Sequence, residues 1–572
     1  MSGQGLGRPA AGDVLAGVTV AMLLIPQAVG LAALAGLPPE QGLYAAALAP
    51  IATAFISSSP YLQAGPTAMT SLLALGALAP IAVPFTDDYV ALAALLALIV
   101  GAVRIAIGLA RAGVLAYLMS QPVVVGFTAA AGLLIVLSQV PAVLGATVET
   151  GNPIAMAFDT FRDPGLWEAL SVVLAALTLV LILGGRALHP LFPGVLIAAL
   201  LAIGFSVLTD YGGPTVGDVR SGFPPIAIDL PWSDAAKLLL PGAVIALIGF
   251  AEPAAIARHY ATAERQAWNP NREFVSQGLA NVVAGFGSGY PVGGSFSRSA
   301  LNVLAGARSR WSSVVTAAAV LAFLPILGVM SPLPKAVLGA TVIAAAATLL
   351  DPRPFLEYRR NARAQFGVAI VTFGATLAFA PHVERGVLVG IGVAIAAHLW
   401  RELRLSIPSW VEGDALHVQP RGVLYFASAP GLEDAVGRLL ADHPESQRLI
   451  VHLDGLGRID LTGALVLRRL VDDASSAGLR VELLDVPPQA RKIVQRVCSD
   501  RAAVQPVVEG GSFADLERGR RRRRSLFRRA GVGAGPRFEP SGADAGGSNQ
   551  MVFEAQDAAP SDETDGDALR VE

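Results

Sequence analysis

The chain of 572 residues is 53% hydrophobic and only 15% charged, and its mean hydropathy is +0.56. This composition excludes an ordinary soluble globular protein and indicates a membrane protein. The formal net charge of −2 gives no general attraction for nucleic acid, and the single cysteine, Cys498, excludes an internal disulfide or a cysteine metal site. Residues 1–12 lack a small-residue cleavage motif, so the first apolar run is expected to stay in the protein as a membrane helix.

The first apolar runs show how the chain enters the membrane. The first span is expected over 13–36, and Pro26 is expected to break it because proline removes a backbone hydrogen bond. Gln27 places an amide at bilayer depth, where it either touches a bound substrate or packs against the break. A second span is expected over 41–58, and a polar stretch then leads into a much shorter apolar run.

Two apolar runs, at 65–79 and 294–305, are too short to cross a bilayer core of ~30 Å at ~1.5 Å per residue. A helix that begins inside the membrane leaves its first N–H groups unpaired and presents the positive end of its dipole, so an anion is its natural partner. At the second run, Ser295 and Ser297 add hydroxyl donors and Arg298 adds a positive charge. The sequence therefore predicts an anion site in the middle of the membrane.

Ten further apolar runs complete the predicted membrane domain, at 88–110, 121–146, 166–185, 191–209, 237–258, 271–288, 312–330, 334–350, 364–380 and 384–403. Together they give fourteen segments in two halves of seven, 13–210 and 235–405, with one half-length segment at a corresponding place in each half. Matched interruptions of this kind indicate the binding site of a secondary transporter built from an inverted repeat. Arginine and lysine are concentrated in the loops of one side, which predicts a multi-pass protein of the plasma (inner) membrane with both termini in the cytoplasm.

Beyond residue 405 strands alternate with helices, which is the pattern of a small α/β domain. Strands are expected at 415–418, 423–426, 449–454 and 479–484, and helices at 432–442, up to 477 and at 488–497. The predicted domains are an N-terminal cytoplasmic segment (1–12), a transmembrane domain (13–405), a linker (406–414), the α/β domain (415–510) and a disordered tail (511–572). The arginine run at 519–524 either lies on anionic lipid or is part of a solvated linker.

Several motifs, in order along the chain, resemble those of the sulfate permease (SulP) family of anion transporters. They are GVTVA at 17–21, IPQ at 25–27, GLPP at 36–39, GLY at 42–44, SSS at 57–59, NREF at 271–274, GLAN at 278–281, GSFSRSA at 294–300 and LPKAVL at 333–338. The α/β domain resembles the STAS domain (sulfate transporter and anti-sigma factor antagonist), and the likeness covers about 13–505. The resemblance implies an all-α polytopic domain with a seven-plus-seven inverted repeat, a core that moves against a gate, and a homodimer.

The resemblance also implies which residues meet the substrate between the two half-helices. The backbone groups that contact the substrate in the family fall here on Thr67, Ala68, Ser295, Phe296 and Ser297. The serines are also suited to cap a helix, so the two interpretations overlap. Arg298 matches a basic residue of the motif, and it either contacts the anion, pairs with a carboxylate or reaches an aqueous edge.

Glu252 lies near the middle of the predicted span 237–258, where an ionised carboxylate costs ~2.5 kcal/mol or more. In the family an acidic residue at this position is linked to coupling by H⁺ or Na⁺. A proton on Glu252 would neutralise it and let an anion and a proton cross together. The alternative is a static partner for Arg298, and Na⁺ stays open as the coupling ion because carboxylate and hydroxyl oxygens suit either ion.

Thr462 follows the sequence Asp460-Leu461 at the start of a predicted helix. The resemblance implies that this is the position where soluble STAS proteins carry a phosphorylatable serine or threonine. The alternative for Thr462 is a simple helix N-cap.

The leading hypothesis is a secondary transporter of a small inorganic oxyanion, namely sulfate with H⁺ symport, that works by alternating access. Alternatives on the same fold are a Na⁺-coupled bicarbonate symporter and an anion exchanger, because backbone N–H groups fit any small oxyanion. A third is a membrane-anchored regulator whose STAS domain binds cytoplasmic protein partners. An enzyme or a cofactor is not expected, because no nucleophile–base pair, metal cluster or phosphate loop is recognisable.

Overall fold

The computed structural model describes residues 8–117, 120–146, 151–498 and 503–506. The chain divides into two compact units, the first ending at Arg404 and the second beginning at Leu405. The predicted N-terminal segment is covered only from residue 8, and the predicted tail, 511–572, lies outside the described residues.

In its described residues, the first half of the first unit contains eight α-helices and one very short strand. They are α1 (Ala11–Leu34), α2 (Pro39–Ile56), β1 (Ala64–Gly65), α3 (Ala68–Leu78), α4 (Asp87–Leu109), α5 (Gln121–Leu144), α6 (Pro153–Arg162), α7 (Ala169–Leu188) and α8 (Gly194–Thr209). The second half repeats this arrangement. It contains α9 (Ala235–Ala263), α10 (Pro270–Phe286), β2 (Gly293–Gly294), α11 (Phe296–Leu304), α12 (Trp311–Phe323), α13 (Lys335–Ala346), α14 (Arg353–Asn361), α15 (Arg363–Ala378) and α16 (Val383–Glu402).

The helices of the described residues confirm the predicted fold class. All of α1–α16 except α6 and α14 correspond to the predicted segments, and α3 and α11 are the two half-length ones. Eight helical segments are long and apolar enough to cross a membrane by length and composition. On α7 the side chains of Leu177, Val180 and Leu183 are exposed along one stripe, as expected for a surface that faces lipid.

The expected break at Pro26 is wrong, because α1 runs without interruption from Ala11 to Leu34. A proline removes only one hydrogen bond from a helix, and in a membrane neighbouring helices and small adjustments satisfy the freed backbone group. Pro26 and Gln27 are both buried inside the bundle. Two helices, α6 and α14, were not predicted because they are short and more polar than the membrane spans.

Close contact between α4 and α10 brings these two helices together along their length. A Cβ atom on Gly101 of α4 would lie 2.7 Å from the carbonyl oxygen of Gly278 on α10. Only glycine fits at such a distance, so the two backbones touch directly. The packing also brings α4 to the segment before β2, where Arg104 of α4 donates to the carbonyl oxygen of Val292.

The second unit is a mixed α/β domain, as predicted. Its elements are β3 (Ser409–Glu412), β4 (Ala415–Val418), β5 (Gly422–Leu424), α17 (Ala429–Asp442), β6 (Arg448–His452), β7 (Leu456–Ile459), α18 (Leu461–Ser476), β8 (Arg480–Val486), α19 (Arg491–Cys498) and β9 (Ala503–Pro506). The main sheet has the order β3-β4-β6-β8-β9, in which β3 is antiparallel to β4 and the other pairs are parallel. Strands β5 and β7 form a separate parallel pair.

One strand lies in the segment that was expected to be a linker, 406–414. Strand β3 pairs with β4 through Glu412 and Ala415, so the ordered domain begins before residue 415. Its four residues are mostly exposed, and an exposed edge strand has little of the apolar alternation by which a strand is recognised in a sequence.

Candidate functional site

The two interrupted segments meet each other in the middle of the first unit. Strands β1 and β2 pair antiparallel, with Ala64 opposite Gly294 and Gly65 opposite Gly293. Gly65 has a φ of +153°, a conformation that residues with a side chain rarely adopt. The pairing sets the starts of α3 and α11 side by side, so both helix N-termini serve one site.

Hydrogen bonds from buried polar groups hold the two breaks in place. The N–H of Ser295 donates to the carbonyl oxygen of Gln63 at 3.2 Å, and the N–H of Gln63 donates to Ser299 Oγ at 3.0 Å. Asn281 of α10 accepts the N–H of Val292 at 2.9 Å and donates to its carbonyl oxygen at 3.1 Å. The donors at the helix starts are therefore fixed before any ligand arrives.

At the start of α3, Thr67 is the N-cap. Its Oγ1 accepts the N–H of Thr70 at 3.2 Å, and Thr70 Oγ1 accepts the N–H of Thr67 at 3.3 Å. This reciprocal capping box satisfies the donors at both of its ends. The N–H groups of Ala68 and Met69 have no acceptor within their own helix and are left for a ligand.

At the start of α11, the donors are arranged differently. Ser295 occupies the N-cap position, but its side chain caps no N–H of the helix and lies 3.2 Å from Ser297 Oγ. The capping interpretation of these serines is therefore wrong for this structure. The N–H of Phe296 donates to Glu252 Oε1 of α9 at 3.0 Å, so the carboxylate occupies one of the donors that was predicted to meet the substrate.

Arg298 is almost fully buried, with 2% of its surface exposed. Its Nε and Nη2 atoms have no hydrogen-bond partner among the residues that the structure describes. Nη2 lies 3.5 Å from the point where a Cβ atom on Gly65 would be, next to the start of the opposite half-helix. No ion pair within 4.0 Å joins Arg298 to Glu252 in the described part of the chain, so the predicted alternative of a static pair is not observed.

All the predicted site residues of the membrane domain line one cavity of about 630 Å³. They are Gln27, Thr67, Ala68, Glu252, Ser295, Phe296, Ser297 and Arg298. A second cavity of about 540 Å³ shares Met69, Glu252 and Phe296 with the first and continues to Arg258 and Asp351. The geometry can bind a small anion between two helix N-termini, with a cation and a carboxylate at the same place.

Sequence reasoning missed several polar residues of the cavity wall. They are His259 and Tyr260 on α9, and Thr341 and Thr348 on or next to α13. A signal was available for His259, because it follows Glu252 by seven residues and so lies on the same face of the helix. Thr341 and Thr348 have the same spacing, but their place in the cavity wall depends on how α13 packs against helices that are distant in the sequence, such as α1 and α5.

Thr462 lies in the second unit, exposed in the first turn of α18. The N-cap of this helix is Asp460, whose Oδ1 accepts the N–H of Gly463 at 2.7 Å. The N-cap interpretation of Thr462 is therefore wrong, because Asp460 occupies the N-cap position and Thr462 is the second residue of the helix itself. Phosphorylation of Thr462 stays a prediction.

Comparison with known proteins gives matches over both units. Residues 11–372 match the sulfate permease family, and residues 409–502 match the STAS domain. A protein of Mycobacterium tuberculosis named "Probable sulfate transporter" is 35% identical over 406 residues, which cover 69% of this chain and 70% of that protein.

Two solved structures are similar in fold. The murine Solute Carrier 26 family member A9 anion transporter, in an inward-facing state, superposes with a TM-score of 0.79 at 21% identity, covering 90% of this chain and 92% of the other. The transmembrane domain of a cyanobacterial bicarbonate transporter has a TM-score of 0.57 at 22% identity, covering 67% of this chain and 97% of the other. At these identities the likeness concerns the fold alone.

Proposed function

The chain belongs to the sulfate permease family, and we propose that it is a secondary transporter that moves sulfate together with a proton. The observation that carries this proposal is the hydrogen bond from the Phe296 N–H to Glu252 Oε1, at 3.0 Å. An ionised Glu252 holds a donor that a bound anion needs. Substrate and carboxylate therefore compete for the start of α11.

A proton resolves this competition. Protonated Glu252 has lost its charge, and a neutral oxygen accepts a hydrogen bond more weakly than a carboxylate does. The Phe296 N–H then becomes available to the incoming anion, and the repulsion between two negative groups disappears. Each ligand raises the affinity for the other by the same factor, which is the thermodynamic basis of symport.

Sulfate fits the remaining groups of the site. The N–H groups at the starts of α3 and α11 are donors for a compact oxyanion. Nε and Nη2 of Arg298, which have no partner among the described residues, add two charged donors. Gln27 and the hydroxyl groups of Ser295 and Ser297 line the same cavity and could complete the contacts. The similarity to the mycobacterial protein named "Probable sulfate transporter" supports the same choice of anion.

Transport requires that this one site opens to each side of the membrane in turn. We assign the two breaks and the helices that hold them (α1–α4 and α9–α12) to the moving core, and α5, α7, α8, α13, α15 and α16 to the gate. The cavity walls support this division, because Thr341 and Val342 of α13 face the half-helices across the cavity. We propose further that both termini lie in the cytoplasm and that the protein is a homodimer. Transport by this site requires no enzymatic reaction and no cofactor.

The test is uptake of radiolabelled sulfate and bicarbonate into proteoliposomes, driven by an inward gradient of H⁺ or of Na⁺. We expect an acidic exterior to drive sulfate uptake in the wild type and not in the Glu252→Gln variant. Glu357→Gln is the matched control, because it makes the same chemical change at an exposed residue of α14 outside the cavity. Sodium-driven bicarbonate uptake would overturn the substrate and the coupling ion. Absence of flux for either anion would contradict the transport proposal and favour the regulatory role of the STAS domain.

A further inference from the structure

A second arginine, Arg104 of α4, lies behind the anion site and is completely buried. Its Nε donates to the carbonyl oxygen of Ala246 at 3.0 Å, its Nη1 to that of Val292 at 3.0 Å, and its Nη2 to that of Ile245 at 3.4 Å. None of the ion pairs in the described part of the chain involves it. A guanidinium keeps its proton in a protein, so the site has an uncompensated buried positive charge as its neighbour.

The contacts of Arg104 connect it to the segment that leads into α11 and to helix α9, which carries Glu252. Val292 immediately precedes β2, and three residues further on is Ser295, a chain distance of at most about 10 Å. Nη2 of Arg104 also lies 2.7 Å from the Cβ position of Gly249, which is three residues before Glu252 on α9. The material between the guanidinium and the cavity is packed protein, which screens a charge much less than water does.

Neutral donors would be enough to satisfy these carbonyl oxygens. Asn281 does so for Val292, where it shares the carbonyl oxygen with Arg104. A charge without a carboxylate partner is costly to bury in a membrane protein, and such residues mark ion pathways. The charge of Arg104, rather than its hydrogen bonds alone, therefore needs an explanation.

We propose that Arg104 is a specificity-determining residue, which adds a second fixed positive charge to the anion site and favours dianions over monoanions. The proposal rests on the function proposed above. Arg104 and Arg298 together carry two positive charges, and a sulfate dianion beside a protonated Glu252 balances them. Arg104 does not touch the substrate and acts only through its field.

The size of the effect follows from Coulomb's law. The Arg104–Val292 hydrogen bond and the three residues to Ser295 put the guanidinium within about 10–15 Å of the anion. At this distance and an effective dielectric constant of about 20, one positive charge changes the affinity for an anion by about 6- to 16-fold, or roughly tenfold, per unit of anion charge. Removing the charge of Arg104 should then weaken sulfate about a hundredfold and a monoanion about tenfold. The ratio of the two affinities should fall about tenfold.

The experiment compares sulfate with methanesulfonate, a tetrahedral monoanion of similar shape, as competitors of radiolabelled sulfate uptake in proteoliposomes. Arg104→Gln and Arg104→Met both remove the charge, and the methionine variant replaces a buried charge by an apolar chain, which proteins often tolerate. Both should show the tenfold loss of the affinity ratio. Arg104→Lys keeps the charge and should keep the ratio within about threefold of the wild type.

Asn281→Ala is the matched control, because it removes a donor to the same Val292 carbonyl oxygen without changing charge. It should weaken both anions alike and leave the ratio unchanged. An unchanged ratio in the neutral variants, or a ratio that falls equally in the lysine and alanine variants, would show that Arg104 is only a scaffold.

The wild type provides a measurement that does not depend on any variant folding. It should bind sulfate at least about tenfold more tightly than methanesulfonate, and equal affinities would overturn the proposal. If the wild type moves no anion at all, the proposed function itself fails. If it moves anions without this discrimination, only the role of Arg104 fails.

Discussion

Replacing Glu252 by glutamine should raise the affinity for sulfate at alkaline pH and remove its dependence on pH. In the wild type, Glu252 Oε1 accepts the Phe296 N–H at 3.0 Å, so an incoming sulfate must displace a charged acceptor. In the variant it displaces a neutral amide oxygen from the same donor. A substitution inside the binding site is therefore expected to strengthen binding while it abolishes coupling.

The magnitude follows from the strength of the two hydrogen bonds. A hydrogen bond to a charged group contributes ~1.5–3 kcal/mol and a neutral one ~0.5–1.5 kcal/mol, so the difference is about 1–2 kcal/mol, or about 5- to 30-fold in affinity. Loss of the repulsion between the carboxylate and a dianion acts in the same direction. If one proton binds with each sulfate, wild-type affinity falls about tenfold per pH unit wherever Glu252 ionises in the empty site. At acidic pH the two proteins should converge.

The assay is equilibrium binding of radiolabelled sulfate to the purified full-length protein between about pH 5.5 and pH 8.5. Glu357→Gln serves as the control and should follow the wild-type curve, because Glu357 is exposed on α14 and does not line the cavity. Weaker binding of Glu252→Gln at alkaline pH, or a pH slope equal to that of the wild type, would refute the competition between Glu252 and the substrate.

Three further predictions concern other parts of the chain. Arg298→Met should weaken the binding of sulfate about a hundredfold or more in the same assay. Nε and Nη2 have no other partner among the described residues, and each charged hydrogen bond contributes ~1.5–3 kcal/mol. A loss of affinity below about threefold would mean that the anion binds elsewhere. Leu467→Ala should lower the free energy of unfolding of the α/β unit by ~2–5 kcal/mol, since Leu467 is completely buried. Urea unfolding, monitored by the reactivity of Cys498, measures this loss. An unchanged unfolding midpoint would contradict the packing. Burial raises the pKa of the Cys498 thiol to about 11, so only about one thiol in a thousand is ionised at pH 8, and Ellman's reagent should react slowly until the protein is denatured. Because this pKa lies above the ~8.5 of an unfolded cysteine, the thiol contributes stability that is present below about pH 8.5 and is lost as the pH rises towards 11; rapid labelling of the native protein at pH 8 would contradict its burial.

The residues of the candidate anion site could be predicted to a large extent because their main signals are local. A half-length apolar run and a cluster of hydroxyl groups followed by arginine can be read within a dozen residues, and the cavity contains each of the residues so identified. Arg104 had a comparable signal, since it is a charged residue well inside an apolar segment. Its role could not be read from the sequence, because the three carbonyl oxygens that it binds lie 141 to 188 residues away along the chain.

Two of the three errors have a common cause. Pro26 was expected to end a helix on its local preference, but the surrounding bundle buries it and the helix continues. Strand β3 was read as linker because its residues are exposed and only its pairing with β4 makes it a strand. The alternative that Thr462 caps a helix fails because Asp460 is the N-cap and accepts the N–H of Gly463. At Pro26 and at β3, contact with another part of the chain outweighed the local pattern, whereas the cap at Asp460 is itself a local feature, three residues from the donor that it accepts.

The sequence by itself determined the number and length of the membrane segments, the two interrupted helices and the α/β character of the second unit. These features follow from hydrophobicity and periodicity, which act between neighbours in the chain. Only the tertiary structure decided that Glu252 accepts the Phe296 N–H, that Nε and Nη2 of Arg298 have no partner among the described residues, and that Arg104 donates to carbonyl oxygens of α9 and of Val292. Those contacts join residues tens to hundreds of positions apart, and their geometry depends on how glycine-lined helices pack, which no local pattern specifies.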